Sequence, residues 1–135
     1  NSYALNATAT VTPQCSVSTP NTLNFGSVGA LAAAVDAQST ISVACSNQLP
    51  YTVGLSSASG TGPTTLKMSY GQNKLGYAVY QDSARTTPWG NAAGSWMAGS
   101  GTASSQSLTV YGRLPAQPLP PPGNYTDTIS VTVTY

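Results

Sequence analysis

Apolar and polar residues alternate along most of this chain. Tyr3, Leu5, Ala7, Ala9 and Val11 are interleaved with Ala4, Asn6, Thr8 and Thr10, a period of two that predicts a β-strand, and Pro13 ends the run. Cys15 and Val17 open a short second strand, and Leu23 and Phe25 a third, closed by Gly26. Ile41, Val43 and Cys45 share one face of a fourth, and Tyr51, Val53 and Leu55 one face of a fifth that follows Pro50. Leu66 and Met68 mark a short strand, Leu75, Tyr77, Val79 and Tyr80 a longer one, and Leu108, Val110, Gly112 and Leu114 another. The cleanest alternation comes last, with Ile129, Val131, Val133 and Tyr135 set against Thr128, Ser130, Thr132 and Thr134.

The intervals read differently. Residues 60–63 are a Gly-Pro turn, and residues 118–122 a stiff, polyproline-like loop. Residues 82–105, rich in Gly, Ser and Ala, read as a long excursion pinned to the body by Trp89 and Trp96. The one helical candidate is residues 31–37, a turn or two. Eight or nine short strands separated by turn signals predict an all-β sandwich. Neither an internal repeat nor an interdomain linker divides the 135 residues, a length that suits one domain.

Composition narrows the function. Lys and Arg total four, Asp and Glu three, and His is absent; charged residues make up 5% of the chain against about 25% in ordinary globular proteins. Such a surface repels its own copies weakly and suits a protein packed against itself. A net charge of +1 offers no footprint for nucleic acid or an anionic membrane. Apolar residues at 40% and eight Tyr argue against disorder. Cys15 and Cys45 admit a redox pair or two buried thiols, but a spacing of 30 is neither a CxxC nor a metal pattern, and a structural disulfide formed in an oxidising compartment is the expectation. The start of the chain has no basic segment followed by an apolar one, as expected of an exported protein numbered from its mature N-terminus.

Catalytic chemistry finds few candidates. Without His there is no Ser-His or Cys-His pair, Lys67 and Lys74 lie in polar, turn-flanked settings, and the three Asp are scattered. Paired cysteines leave no zinc ligands, and no calcium loop is present. The Gly-rich stretches at 60–62 and 99–101 lack the following Lys and helix of a phosphate cradle. The expectation is therefore a non-enzyme with no catalytic residue, metal, cofactor, nucleic acid or small-molecule substrate. Tyr and Trp offer a sugar platform as a functional reading, with core packing as the simpler one.

The first alternating run precedes Cys15 and has two readings. It forms an ordinary edge strand of its own domain, or it inserts into a groove on a neighbouring subunit and supplies a missing strand.

A resemblance bears on that choice. Cys15, Asn21-Thr-Leu-Asn-Phe-Gly26 and Ile41-Ser-Val-Ala-Cys45-Ser46, then Leu75-Gly-Tyr77-Ala-Val-Tyr80-Gln-Asp82 with Trp89-Gly90, then Val110-Tyr-Gly112-Arg113 and the run from Gly123 through Tyr125 and Asp127 to Tyr135, resemble in order and spacing the spore coat protein U-like pilins of archaic chaperone–usher pili, such as rod subunits of the Csu and Cup E systems. The resemblance implies an incomplete immunoglobulin-like β-sandwich, completed by an N-terminal donor strand from a neighbouring subunit. It implies a donor segment at residues 1–12 and a pilin domain at 13–135. Donor side chains would be Tyr3, Leu5, Ala7, Ala9 and Val11, each an even number of positions before Cys15. The acceptor groove would be walled by Ile129, Val131, Val133 and Tyr135 on one side and by Val17 on the other, and would be shallow at its centre to match two alanines. Implied partners are copies of the chain in a linear fibre, a periplasmic chaperone, an outer-membrane usher, and tip or adaptor subunits. The implied setting is a cell-surface pilus, exported through a Gram-negative periplasm, that supports adhesion and biofilm formation. Two alternatives are a tip adhesin or surface-binding module, and a spore or cell coat protein that folds with its own first strand.

Overall fold

The computed structural model describes residues 1–19 and 22–135. Asn21, the first residue of one of the motifs above, lies outside the described residues. The described residues form eight strands: β1 (Cys15–Ser18), β2 (Val35–Cys45), β3 (Pro50–Ser56), β4 (Leu66–Tyr70), β5 (Asn73–Tyr80), β6 (Met97–Ser100), β7 (Ser105–Leu114) and β8 (Ser130–Thr134). Five make an antiparallel sheet in the order β1-β2-β7-β5-β4, and three make a second in the order β6-β3-β8. The fold is all-β, as the alternation predicts.

The longest ladder joins β2 to β7 over all of β7 and all but the last residue of β2, from Val35 opposite Leu114 to Ala44 opposite Ser105. The β4–β5 hairpin turns through Gly71 and Gln72, with Tyr70 opposite Asn73. Gly71 has φ +61°, the positive value that a tight turn needs at its first central position and that glycine adopts without strain.

The alternating apolar faces meet between the sheets. Val43 of β2, Val53 of β3, Val79 of β5 and Leu114 of β7 are fully enclosed there, as is Trp89. The Trp89 indole donates a 2.8 Å hydrogen bond from Nε1 to the Val53 carbonyl, which satisfies its one polar atom inside the core. The Cys15–Cys45 disulfide is formed, and the two residues lie directly opposite each other on β1 and β2.

Four local expectations are corrected. Residues 31–37 contain no helix: Leu31 is buried in the core, and β2 already begins at Val35, where Asp36 and Gln38 pair with Arg113 and Tyr111 of β7. Leu23 and Phe25 belong to no strand. Asn24 Oδ1 accepts from the Gly26 N–H at 2.8 Å, and Gly26 has φ +75°, so local turn chemistry replaces a ladder. The excursion at 82–105 holds a strand, β6, whose Met-Ala-Gly-Ser sequence lacks the β-branched residues that advertise one. Trp89 does pin that excursion, whereas Trp96 stays 37% exposed.

Candidate functional site

Among the described residues, β1 and β8 are both edge strands. β1 pairs only with β2 and β8 only with β3, so each presents a free edge. Between residues 22–29 on one side and 119–131 on the other lies a cleft of about 1130 Å³. Its floor is the sandwich core, reached through Ile41, Leu55, Met68, Leu75, Tyr77 and Val110. An apolar-floored cleft beside the unpaired edge of β8, which contributes Val131 to its lining, is a feature that can receive another strand.

One wall is built by side chains alone. Leu23 and Phe25 rest on the core, and Phe25 meets Tyr77 edge to face at 6.1 Å between ring centres. Gly112 of β7 makes room for them: a Cβ there would lie 2.9–3.0 Å from Leu23 Cδ2 and Cδ1 and 3.0 Å from Phe25 Cζ. The other wall crosses between the sheets. Thr126 exchanges backbone hydrogen bonds with Ser69 of β4, at 2.8 and 3.1 Å, and four residues later β8 joins β3 in the smaller sheet.

Asp127 lies at that crossing. Its carboxylate accepts hydrogen bonds from Tyr77 Oη at 2.6 Å, Ser59 Oγ at 2.7 Å and Ser57 Oγ at 2.9 Å. Burial works to raise its pKa, but the bonds from Tyr77, Ser59, Ser57 and the Thr128 backbone outweigh it and hold the carboxyl below its ordinary value. Burial and the adjacent carboxylate push the Tyr77 phenol upward. Away from the cleft, the hydrogen bond from Arg113 is the main cause that lowers Asp36, and Arg85 adds to it from 3.5 Å.

The N-terminal run does not fill this cleft: it leaves the body at Gln14, and Val11, Thr12 and Pro13 border a separate small hollow with residues 46–50. Gln14 is tied to Ser46 by backbone and side-chain hydrogen bonds of 2.9–3.2 Å. Before Gln14, the described residues belong to no strand, and Tyr3, Leu5 and Val11 are at least 90% exposed. Ala7 and Ala9 are exposed as well.

The predicted groove residues fall in several places. Ile129 and Val131 line the cleft. Val133 packs against the core but is not among the lining residues, and Tyr135, at the end of the chain, is 58% exposed. Val17 is also exposed, on β1 outside the lining. The lining at Leu23, Phe25 and Val28 was missed as a wall because two apolar residues in alternation read as a strand. Its seat on Gly112 is a contact across distant sequence. Asp127 was also missed, because a lone aspartate next to a strand carries no pattern.

Among the described residues, no three His, Cys, Asp or Glu gather as a metal site would require. No described helix is long and apolar enough to cross a membrane.

Known proteins resemble this chain in sequence or in structure. Protein U of Myxococcus xanthus is 28% identical over 148 residues, an alignment taking in 97% of this chain and 83% of that protein. A chain in the crystal structure of the CsuC–CsuE chaperone–tip adhesion subunit pre-assembly complex, from the archaic chaperone–usher Csu pili of Acinetobacter baumannii, matches with a TM-score of 0.67 and 26% identity. That match covers 93% of this chain and 40% of the other, so this chain spans less than half the length of the one it matches. The immunoglobulin-like pilin fold expected from the resemblance is thus the fold found. The profile of the spore coat protein U domain matches residues 1–132, nearly the full length, and the chain belongs to that family.

Proposed function

We propose that this chain is a structural subunit of an archaic chaperone–usher pilus, and that it polymerises by donor-strand exchange. Residues 1–12 of one copy enter the cleft of the next and pair with the free edge of β8. The observation that carries this reading is the coexistence, in one chain, of an apolar-floored cleft bordered by β8, whose far edge is unpaired, and an exposed alternating segment that does not occupy it. Tyr3, Leu5 and Val11 are the segment's large anchors, each worth roughly 1.5–3 kcal/mol when moved from water into an apolar site. Ile129 and Val131 receive them on the β8 side, with Val133 farther along the same face.

The partners follow from the same geometry. A subunit with an unfilled cleft and an unpaired strand edge needs a periplasmic chaperone to cover them before assembly, and an usher to exchange that cover for the next subunit. The solved relative is itself a complex of a chaperone with a pilus subunit, which supports the first step. The assembled chain then stands outside the cell in a fibre that serves adhesion and biofilm formation. A scaffold of this kind calls for no enzymatic role.

The test is deletion of residues 1–11. The truncated chain is expected to accumulate as a chaperone-bound monomer and to yield no filaments in surface-sheared material seen by negative-stain microscopy. Normal fibres from that truncation would overturn the reading.

The likeness to Protein U and the family's spore-coat description favour a second reading, a coat protein that folds alone. A stable, monodisperse monomer purified without any chaperone would support it.

A further inference from the structure

The Asp127 cradle holds together parts of the fold that the cleft would otherwise leave apart. Tyr77 comes from β5 in the larger sheet, while Ser57 and Ser59 come from the loop that leaves β3 in the smaller one. Ser59 Oγ also accepts the Lys67 backbone N–H of β4 at 3.1 Å, which extends the cluster to the sheet's outermost strand. Among the described residues, the ion pairs of Arg85 and Arg113 go to Asp36 and none goes to Asp127. Its charge is held by hydroxyl donors, which have direction as well as strength.

The position of this cluster matters more than its energy. Asp127 sits one residue past the Thr126 bridge to β4 and two residues before Ile129. Beyond it, β8 has one ladder partner, β3, and its other edge is bare. Tyr77, which donates to Asp127, also meets Phe25 of the wall at 22–29, so the cradle links the approach to that edge with the facing wall. We propose that Asp127 is a positioning residue for strand uptake, and that its hydroxyl cradle fixes the mouth of the cleft at a receptive width before an incoming strand arrives. This rests on the strand-exchange reading above.

The experiment compares three variants of the full-length chain. Tyr77→Phe removes one donor and keeps the ring that meets Phe25. Ser57→Ala with Ser59→Ala removes the other two. Val79→Ala opens a hole in the core away from the cleft, and serves as a control that lowers stability by another route. Stopped-flow fluorescence follows uptake of a labelled peptide of residues 1–12.

The two cradle variants are expected to slow uptake roughly tenfold, the size expected when a hydrogen bond to a charged group is lost. Val79→Ala is expected to melt earlier and take up peptide at the original rate. Unchanged rates in the cradle variants, or slowing that tracks melting temperature in all three, would overturn the proposal. If the unmodified chain takes up no peptide, the strand-exchange reading fails instead. Hydrogen exchange at residues 126–131 in the same samples then decides the cradle's role. Faster exchange in the cradle variants than in Val79→Ala upholds it, and equal exchange removes it.

Discussion

Asp127 and Asp36 are the carboxylates whose chemistry has the largest reach. Both have folded-state pKa values below the ordinary value, Asp127 through hydroxyl and backbone donors against the cost of burial, Asp36 chiefly through Arg113. A carboxyl depressed in the folded state contributes stability above its unfolded pKa and loses it as pH falls through the folded one. The melting temperature is therefore expected to be flat from neutral pH down to about pH 5 and to fall below it, as carboxylates protonate. In Tyr77→Phe the depression of Asp127 is smaller, so its acid-dependent loss is expected to be shallower; thermal melts at pH 7, 5 and 3 read the difference. Trp89 makes a different prediction. It is fully enclosed and hydrogen-bonded to Val53, so Trp89→Ala is expected to cost roughly 3–5 kcal/mol in denaturant unfolding.

The strands differ in how readily the sequence shows them. β3, β5, β7 and β8 place their large apolar residues mostly at every second position, and all were legible; in β3 and β5 the small Gly54 and Ala78 between them are buried as well. β6 was not, since Met97 is its one large apolar residue and its ladder with β3 is set by partners far away in sequence. Leu23 and Phe25 show the converse: alternation marks burial, and here burial comes from packing onto Gly112 rather than from a ladder. The alternation of residues 3–11 and of Ile129 with Val131 is visible in the sequence, and the family resemblance, not the pattern, suggests a donor and an acceptor role for them; the facing wall and the Asp127 cradle depend on approach between segments that no local period encodes. The Cys15–Cys45 bond was readable from count and spacing, and it closes a loop worth roughly 3–4 kcal/mol in the chain-entropy account. Cys15→Ser with Cys45→Ser is expected to lower unfolding free energy by about 2–5 kcal/mol, read from urea titrations with and without reductant.

Taken whole, the molecule carries almost no electrostatic field. The three anions are engaged locally: Asp36 with Arg113 and Arg85, Asp82 with Thr86 and Thr87, and Asp127 with its hydroxyls. The exposed contacts of Asp36 and Asp82 contribute little to stability, and little else remains to be screened. Raising NaCl from low to high concentration is expected to leave both the melting temperature and the rate of self-association nearly unchanged; a strong salt dependence of either would contradict this account. The disulfide has a mechanical consequence at the same scale. It sits where residues 1–14 join the body, and it ties that junction to the C-terminal end of β2. Because β1 and β2 are antiparallel, a pull on the N-terminal segment in line with β1 draws β2 along its own axis. The load then falls on the β2–β7 ladder in shear, with many hydrogen bonds sharing the force, instead of on the four-residue β1–β2 ladder alone. Under tension, a reduced chain would give way at β1, and an oxidised one only when its longest pair of strands slides.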